Sequence, residues 1–115
     1  MNPNGTLDAS FNGTGVFQYN MGSTNYAHQI KLTPSGKIVV CGQTKIADSN
    51  HFTLIKLNDD GTFDTSFGSN GVSNVDNPEG ISDRIVEFEI LPDDSILAMG
   101  NVGFQFVLIK YASNG

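Results

Sequence analysis

The sequence predicts an all-β fold built from repeated four-stranded units, and three observations carry that prediction. Glycine is frequent, at 13 of 115 residues, and charge is sparse, at 16 %; that balance favours turn-rich sheets over solvated helices. Short apolar runs alternate with clusters of Gly, Pro, Asn and Asp, and no stretch sustains a 3.6-residue apolar period. The chain also repeats itself at a spacing of about 55 residues, a period typical of repeat arrays and radial sheet assemblies.

The repetition is direct. NPNGTLDASFNGTGV (Asn2 to Val16) aligns without gaps on NDDGTFDTSFGSNGV (Asn58 to Val72), with eight of fifteen positions identical at an offset of 56. IKLTPSGKIVVCG (Ile30 to Gly42) matches FEILPDDSILAMG (Phe88 to Gly100) at an offset of 58. FTLIKL (Phe52 to Leu57) matches FVLIKY (Phe106 to Tyr111) at an offset of 54, and the final YASNG opens a third copy.

Each repeat divides into strands in a fixed order. YAHQIKL and RIVEFEIL form the first, innermost strand. TPSG and LPDDS follow as turns, because Pro presets φ and the Asp, Ser and Gly behind it close the chain. KIVVCG and ILAMG are continuous apolar runs that suit strands buried on both faces. HFTLIKLN and FQFVLIKY form the third strand. The links between second and third strands, QTKIADSNH and NVGFQ, differ in length, as surface hairpin tips can. The opening motif comes next, and then a more polar outermost strand, GVFQYN or GVSNVD. Four strands per repeat, three of them apolar, is the pattern of a β-propeller blade. The expected division is residues 1–25 as a motif loop plus outer strand (about Gly15 to Asn20) that completes another blade, 26–76 as a complete blade, and 77–115 as a second blade lacking its outer strand. About two antiparallel four-stranded blades per chain result.

The segment from Leu57 to Val72, followed by the Pro34-to-Gly42 type of strand and the Phe52-to-Leu57 type, resembles the delta-60 repeat, a β-propeller repeat of large bacterial proteins. The resemblance covers essentially the whole chain. It departs at Asp94 and Ser95, where Gly-Lys is usual, and at Asn12, where the motif has Gly. It implies a propeller scaffold and, since many such proteins are exported, an extracellular or cell-surface location. It implies no defined activity.

The opening motif has a structural and a metal-binding reading. In the structural one, Gly5 and Gly61 supply the positive φ of a tight turn, and Asn4 and Asp60 close Asx-turns. Asp8 and Asp64, with Ser10 and Ser66, accept backbone N–H groups across the connection. Phe11 and Phe67 pin it to the core, at about 2 kcal/mol each. In the other, Asp59, Asp60 and Asp64 hold calcium through hard oxygen ligands. That set has no following Glu at EF-hand spacing, and only Asp8 among these charges survives in the first copy, so the structural reading is preferred and no cofactor is expected.

Other function classes find little footing. The net charge of −6 leaves no basic patch for nucleic acid or for a polybasic membrane contact. No apolar run approaches the ~20 residues of a spanning helix, and NPNG after Met1 is no signal peptide. Cys41 is the single cysteine and sits in an apolar strand, as a buried structural thiol does. His28 and His51 fall on different strands and are expected to be packing or surface residues. There is no nucleophile elbow and no phosphate loop. Asn25 and Asp83, near the starts of the innermost strands, are the residues that a hydrolase with an axial metal would use.

Gln29 with Lys31, and Glu87 with Glu89, occupy equivalent innermost-strand positions, and period 2 puts each pair on one face. They are either solvated polar faces or the lining of an axial channel, where alternating sign relieves like-charge crowding. The expected function is a non-catalytic scaffold or binding module for protein or glycan. The alternatives are the axial-metal hydrolase and a segment of a structural surface array. Two blades cannot close a ring alone, so copies of the chain are expected to add head to tail, three (about six blades) in preference to four (about eight).

Overall fold

A computed structural model describes residues 1–76, 83–102 and 104–115. Seven strands run in order: β1 (Thr24–Leu32), β2 (Ile38–Ile46), β3 (Ser49–Leu57), β4 (Val72–Asp76), β5 (Asp83–Ile90), β6 (Ile96–Val102) and β7 (Gln105–Tyr111). They form two antiparallel sheets, β1-β2-β3-β4 and β5-β6-β7. No helix occurs among the described residues, as the missing 3.6-residue period requires.

The two sheets repeat each other in detail. The β1–β2 register slips between Ala27 and Gln29, and the β5–β6 register slips between Ile85 and Glu87. His28 and Val86 are thus twin bulge residues, and each bulge re-aims the side chains that follow it.

The core lies between the sheets, and β5 packs across β1, β2 and β3. Val39, Cys41, Phe52 and Leu54 of the first sheet meet Ile85, Phe88, Ile96, Ala98 and Tyr111 of the second, with Phe67 closing one end. Cross-strand partners share a face, so Cys41↔Leu54 and Gln43↔Phe52 point to the second sheet, whereas Ile38↔Leu57 and Val40↔Ile55 point away from it. On that opposite face Ile55, Leu57 and Val72 gather Phe11, Phe17, Tyr19 and Phe63.

Gly15 to Asn20, expected to complete a blade of another copy, makes no ladder within its own chain; the segment lies over the first sheet, and Phe17 and Tyr19 stand edge-on to Phe63 at 5.2 and 6.1 Å. QTKIADSNH is a hairpin, as expected, with strands longer than the apolar runs alone. β2 and β3 continue through it to a two-residue turn, pairing Thr44↔His51, Lys45↔Asn50 and Ile46↔Ser49, because every paired residue satisfies backbone groups that a loop would leave to water. One expectation, burial of β6 on both faces, is corrected: Ile96 and Ala98 are buried, while Leu97 and Met99 are 37 % and 42 % exposed, since among the described residues no third sheet lies beyond the second.

Candidate functional site

The first half of the opening motif, Asn2 to Ser10 and Asn58 to Ser66, folds alike in its two complete copies, from local chemistry alone. Gly5 and Gly61 take φ of 85° and 82°. Before them, the Asn4 and Asp60 side chains accept the N–H of Thr6 (3.1 Å) and Thr62 (3.0 Å). Asn2 and Asn58 each donate from Nδ2 to a Thr hydroxyl and a backbone carbonyl, Thr6 and Leu7 in one copy, Thr62 and Phe63 in the other. Asp8 accepts from the N–H and Oγ of Ser10, and Asp64 from those of Ser66. These bonds hold the carboxyls of Asp8, Asp60 and Asp64 below the usual Asp range, the hydroxyl donor contributing most in each.

Asn12 and Asp94, two of the three residues that depart from the repeat pattern the sequence resembles, fall at left-handed positions. Asn12 has φ of 50° where its twin Gly68 has 53°, and Asp94 has φ of 62° where its twin Gly36 has 84°. Asn and Asp tolerate this region best among residues with a Cβ.

Successive motifs also stack on one another, with the same contact each time. Asn12 donates its N–H to the Asp60 carbonyl at 2.6 Å, and its twin Gly68 donates to the Asn114 carbonyl at 2.7 Å. Gly61 faces the Phe11 ring, and its twin Gly115 faces Gly68 and the Phe67 ring. Lys56 ties the third copy down by donating to the Ser113 carbonyl at 3.0 Å. Phe67 is fully buried and Phe11 half-buried. Nothing lies within 4 Å of where a Cβ on Gly5 would project, so the first motif presents an open acceptor turn.

The residues of the calcium reading are placed otherwise than as a ligand set. Asp59 and Asp60 are exposed. Asp60 is engaged with Thr62, while Asp64 is buried against Ser66 and lies 3.7 Å from the Lys37 ammonium. Among the described residues no group of three or more His, Cys, Asp and Glu converges.

The inner-strand charges are brought together. Lys31 Nζ lies 2.7 Å from Glu89 and 3.3 Å from Glu87. It also donates to the Phe88 carbonyl and sits 5.1 Å from the centre of the Phe88 ring. The bond to Glu89 raises the Lys31 pKa, and the side chains of Gln29 and then Lys31 lower that of Glu87. Gln29 reaches the Val86 carbonyl at 3.4 Å.

The remaining candidates stand apart. His28 and His51 lie on β1 and β3 with β2 between them. Asn25 donates to Asn20 at 2.9 Å and accepts from the Met21 N–H, which secures the entry to β1. The side chain of Asp83 lies outside the described residues. Burial pushes the Cys41 thiol up to about 11, which makes it a poor nucleophile.

Among the described residues, nothing covers two apolar sheet faces, one at each end of the pair of sheets, as a chain of two blades with open ends requires. The outer face of the second sheet shows Phe106 at 77 %, Leu108 at 63 %, Met99 and Leu97. Their twins Phe52, Leu54, Cys41 and Val39 are all buried. The opposite face of the first sheet shows Ile30 and Leu32 beside a cavity of about 400 Å³ walled by Phe11, Phe17 and Tyr19. Ile30, Ile38 and Val40 there are the twins of Phe88, Ile96 and Ala98, the buried contacts of the second sheet. Twin positions keep their apolar character even where the described residues supply nothing to cover them.

Residues 33–67 match the family described as "Domain of unknown function (DUF5122) beta-propeller". The matched segment runs from the β1–β2 turn through β2, β3 and the second opening motif, and it supports a β-propeller repeat. No curated protein and no solved structure matches the chain.

Proposed function

We propose that this chain is a non-catalytic β-propeller module of the delta-60 kind, with about two four-stranded blades per chain, and that copies of it add head to tail into a closed ring. The observation that carries this reading is the complementarity of its two bare faces. The outer face of the second sheet is the twin of the face that the second sheet covers on the first. The bare face of the first sheet is the twin of the covering surface. One copy's second sheet therefore fits another copy's first sheet by the contact already made within the chain. Such an interface is heterologous, and it stays finite only if the rotation closes. Three copies are preferred over four. The ring acts as a scaffold that presents its turns to a protein or glycan, and Lys31, Glu87 and Glu89 line its axis.

The test is light scattering coupled to size exclusion at micromolar concentration. A species of three or four times the 12.3 kDa chain mass is expected. A stable monomer would refute the reading.

A further inference from the structure

We infer that residues 16–20 of one copy join the free edge of β7 in a second copy as its fourth strand, in one defined register. The inference rests on the head-to-tail reading above and goes beyond it by naming the strand, the edge and the pairing.

The first sheet supplies the template. There β3 carries β4 with the pairs Leu54↔Ser73, Thr53↔Asn74 and Phe52↔Val75. β7 is the twin of β3, and residues 16–20 are the twin of Val72–Asp76. The implied pairs are Leu108 with Phe17, Val107 with Gln18, and Phe106 with Tyr19. Among the described residues, β7 has β6 on one side and no strand on the other, while residues 16–20 make no ladder in their own chain. Each therefore carries what the other lacks, a row of backbone donors and acceptors.

Side-chain placement agrees with the same register. Phe52 and Leu54 face the second sheet, and Val75, opposite Phe52, packs into that core. By equivalence Tyr19 and Phe17, opposite Phe106 and Leu108, should face the first sheet of their own copy. They already do, against Ile55, Leu57 and Phe63. A slip of one residue would turn both aromatics to the wrong face. The cavity beside them is the space that the second copy's inner strands would enter.

The motif stack sets the junction. Ala112 to Gly115 docks on the second motif as Asn58 to Gly61 docks on the first. In the joined pair Ala112–Gly115 of one copy takes the place of Asn2–Gly5 of the next, whose turn is exposed and has an open Gly5.

The experiment mixes two full-length variants that each add one cysteine, Val107→Cys and Gln18→Cys, under mild oxidation. Cys41 is buried and stays out of the reaction. A disulfide-linked dimer is expected from the mixture and from neither variant alone. Its yield should exceed by roughly tenfold that of Gln105→Cys mixed with Gln18→Cys, whose Cα atoms are too far apart in this register. Oligomers that form with equal or no cross-linking in both mixtures would overturn the strand addition and leave self-association standing. Absence of any oligomer would overturn both. Removing residues 1–5 should leave the oligomer intact or several-fold tighter, and its loss would overturn the junction.

Discussion

Replacing Phe106 by Ser should separate association from folding. The ring is 77 % exposed in the single chain, whereas its twin Phe52 is 2 % exposed between the sheets. Covering Phe106 as Phe52 is covered would remove about 150 Å² of apolar surface from water, taking roughly 200 Å² for a whole ring. At about 25 cal/mol per Å² this is about 3.8 kcal/mol, somewhat above the ~1.5–3 kcal/mol range for one buried side chain. Ordering and rigid-body costs return part of it. A loss of about 2 kcal/mol per interface remains, or roughly 30-fold in Kd. The assay is sedimentation equilibrium over a concentration series, beside a thermal melt of the dilute protein. The melt should move little, because an exposed substitution alters stability by only about ±0.5 kcal/mol. Phe52→Ser is the internal control, costing about 3–5 kcal/mol of folding stability by emptying the core. An unchanged Kd for Phe106→Ser with an unchanged melt would refute burial of this face on association.

Tyr111 is buried in the inter-sheet core, and its hydroxyl has no hydrogen-bond partner among the described residues. Tyr111→Phe should therefore raise stability by about 1 kcal/mol and the midpoint by about 4 °C, and a lower melt would show that the hydroxyl is satisfied. Burial also pushes Tyr111 up to about 12. The folded state keeps a proton that the unfolded state loses near pH ~10, so stability is intact below that pH and falls as pH climbs toward 12. The substitution should reduce that alkaline loss and leave the parallel contributions of Cys41, Lys31 and Tyr19, whose pKa values are also raised; an unchanged urea midpoint series from pH 9 to 12 would contradict it. Lys31→Glu should cost on the order of 1 kcal/mol in stability and weaken assembly, because three carboxylates then crowd one site. The deficit should shrink as salt approaches ~1 M, and salt-independent melts would dismiss the ion pairs. Gly61→Ala should destabilise more than Gly5→Ala. Both impose a Cβ on positive φ at about 1 kcal/mol, but only the Cβ at 61 meets the Phe11 ring, at 2.8 Å. Equal melts would mean that the ring moves aside freely.

What the sequence determined by itself is the local architecture, because its signals act over a few residues. Gly5, Gly61, Asn4 and Asp60 specify the motif turn through φ and Asx bonds that need no distant partner, and both copies fold alike. Alternation and β-branched runs placed β1 to β7 in the right order. The 58-residue offset put Lys31 and Glu89 at equivalent inner-strand positions, though their 2.7 Å approach depends on how the sheets pack. Tertiary structure decided everything that needs a neighbour from elsewhere in the chain. Phe52 and Phe106 carry the same sequence signal, yet only Phe52 is buried, because only it has a second sheet beside it. Residues 16–20 have the sequence of an outer strand but make no ladder within their own chain, and their aromatics cover the first sheet. Residues 43–51 resemble a loop in composition, yet β2 and β3 extend through them because cross-strand pairing satisfies the backbone. Strand propensity is written residue by residue, whereas burial and pairing are properties of the surface that arrives opposite.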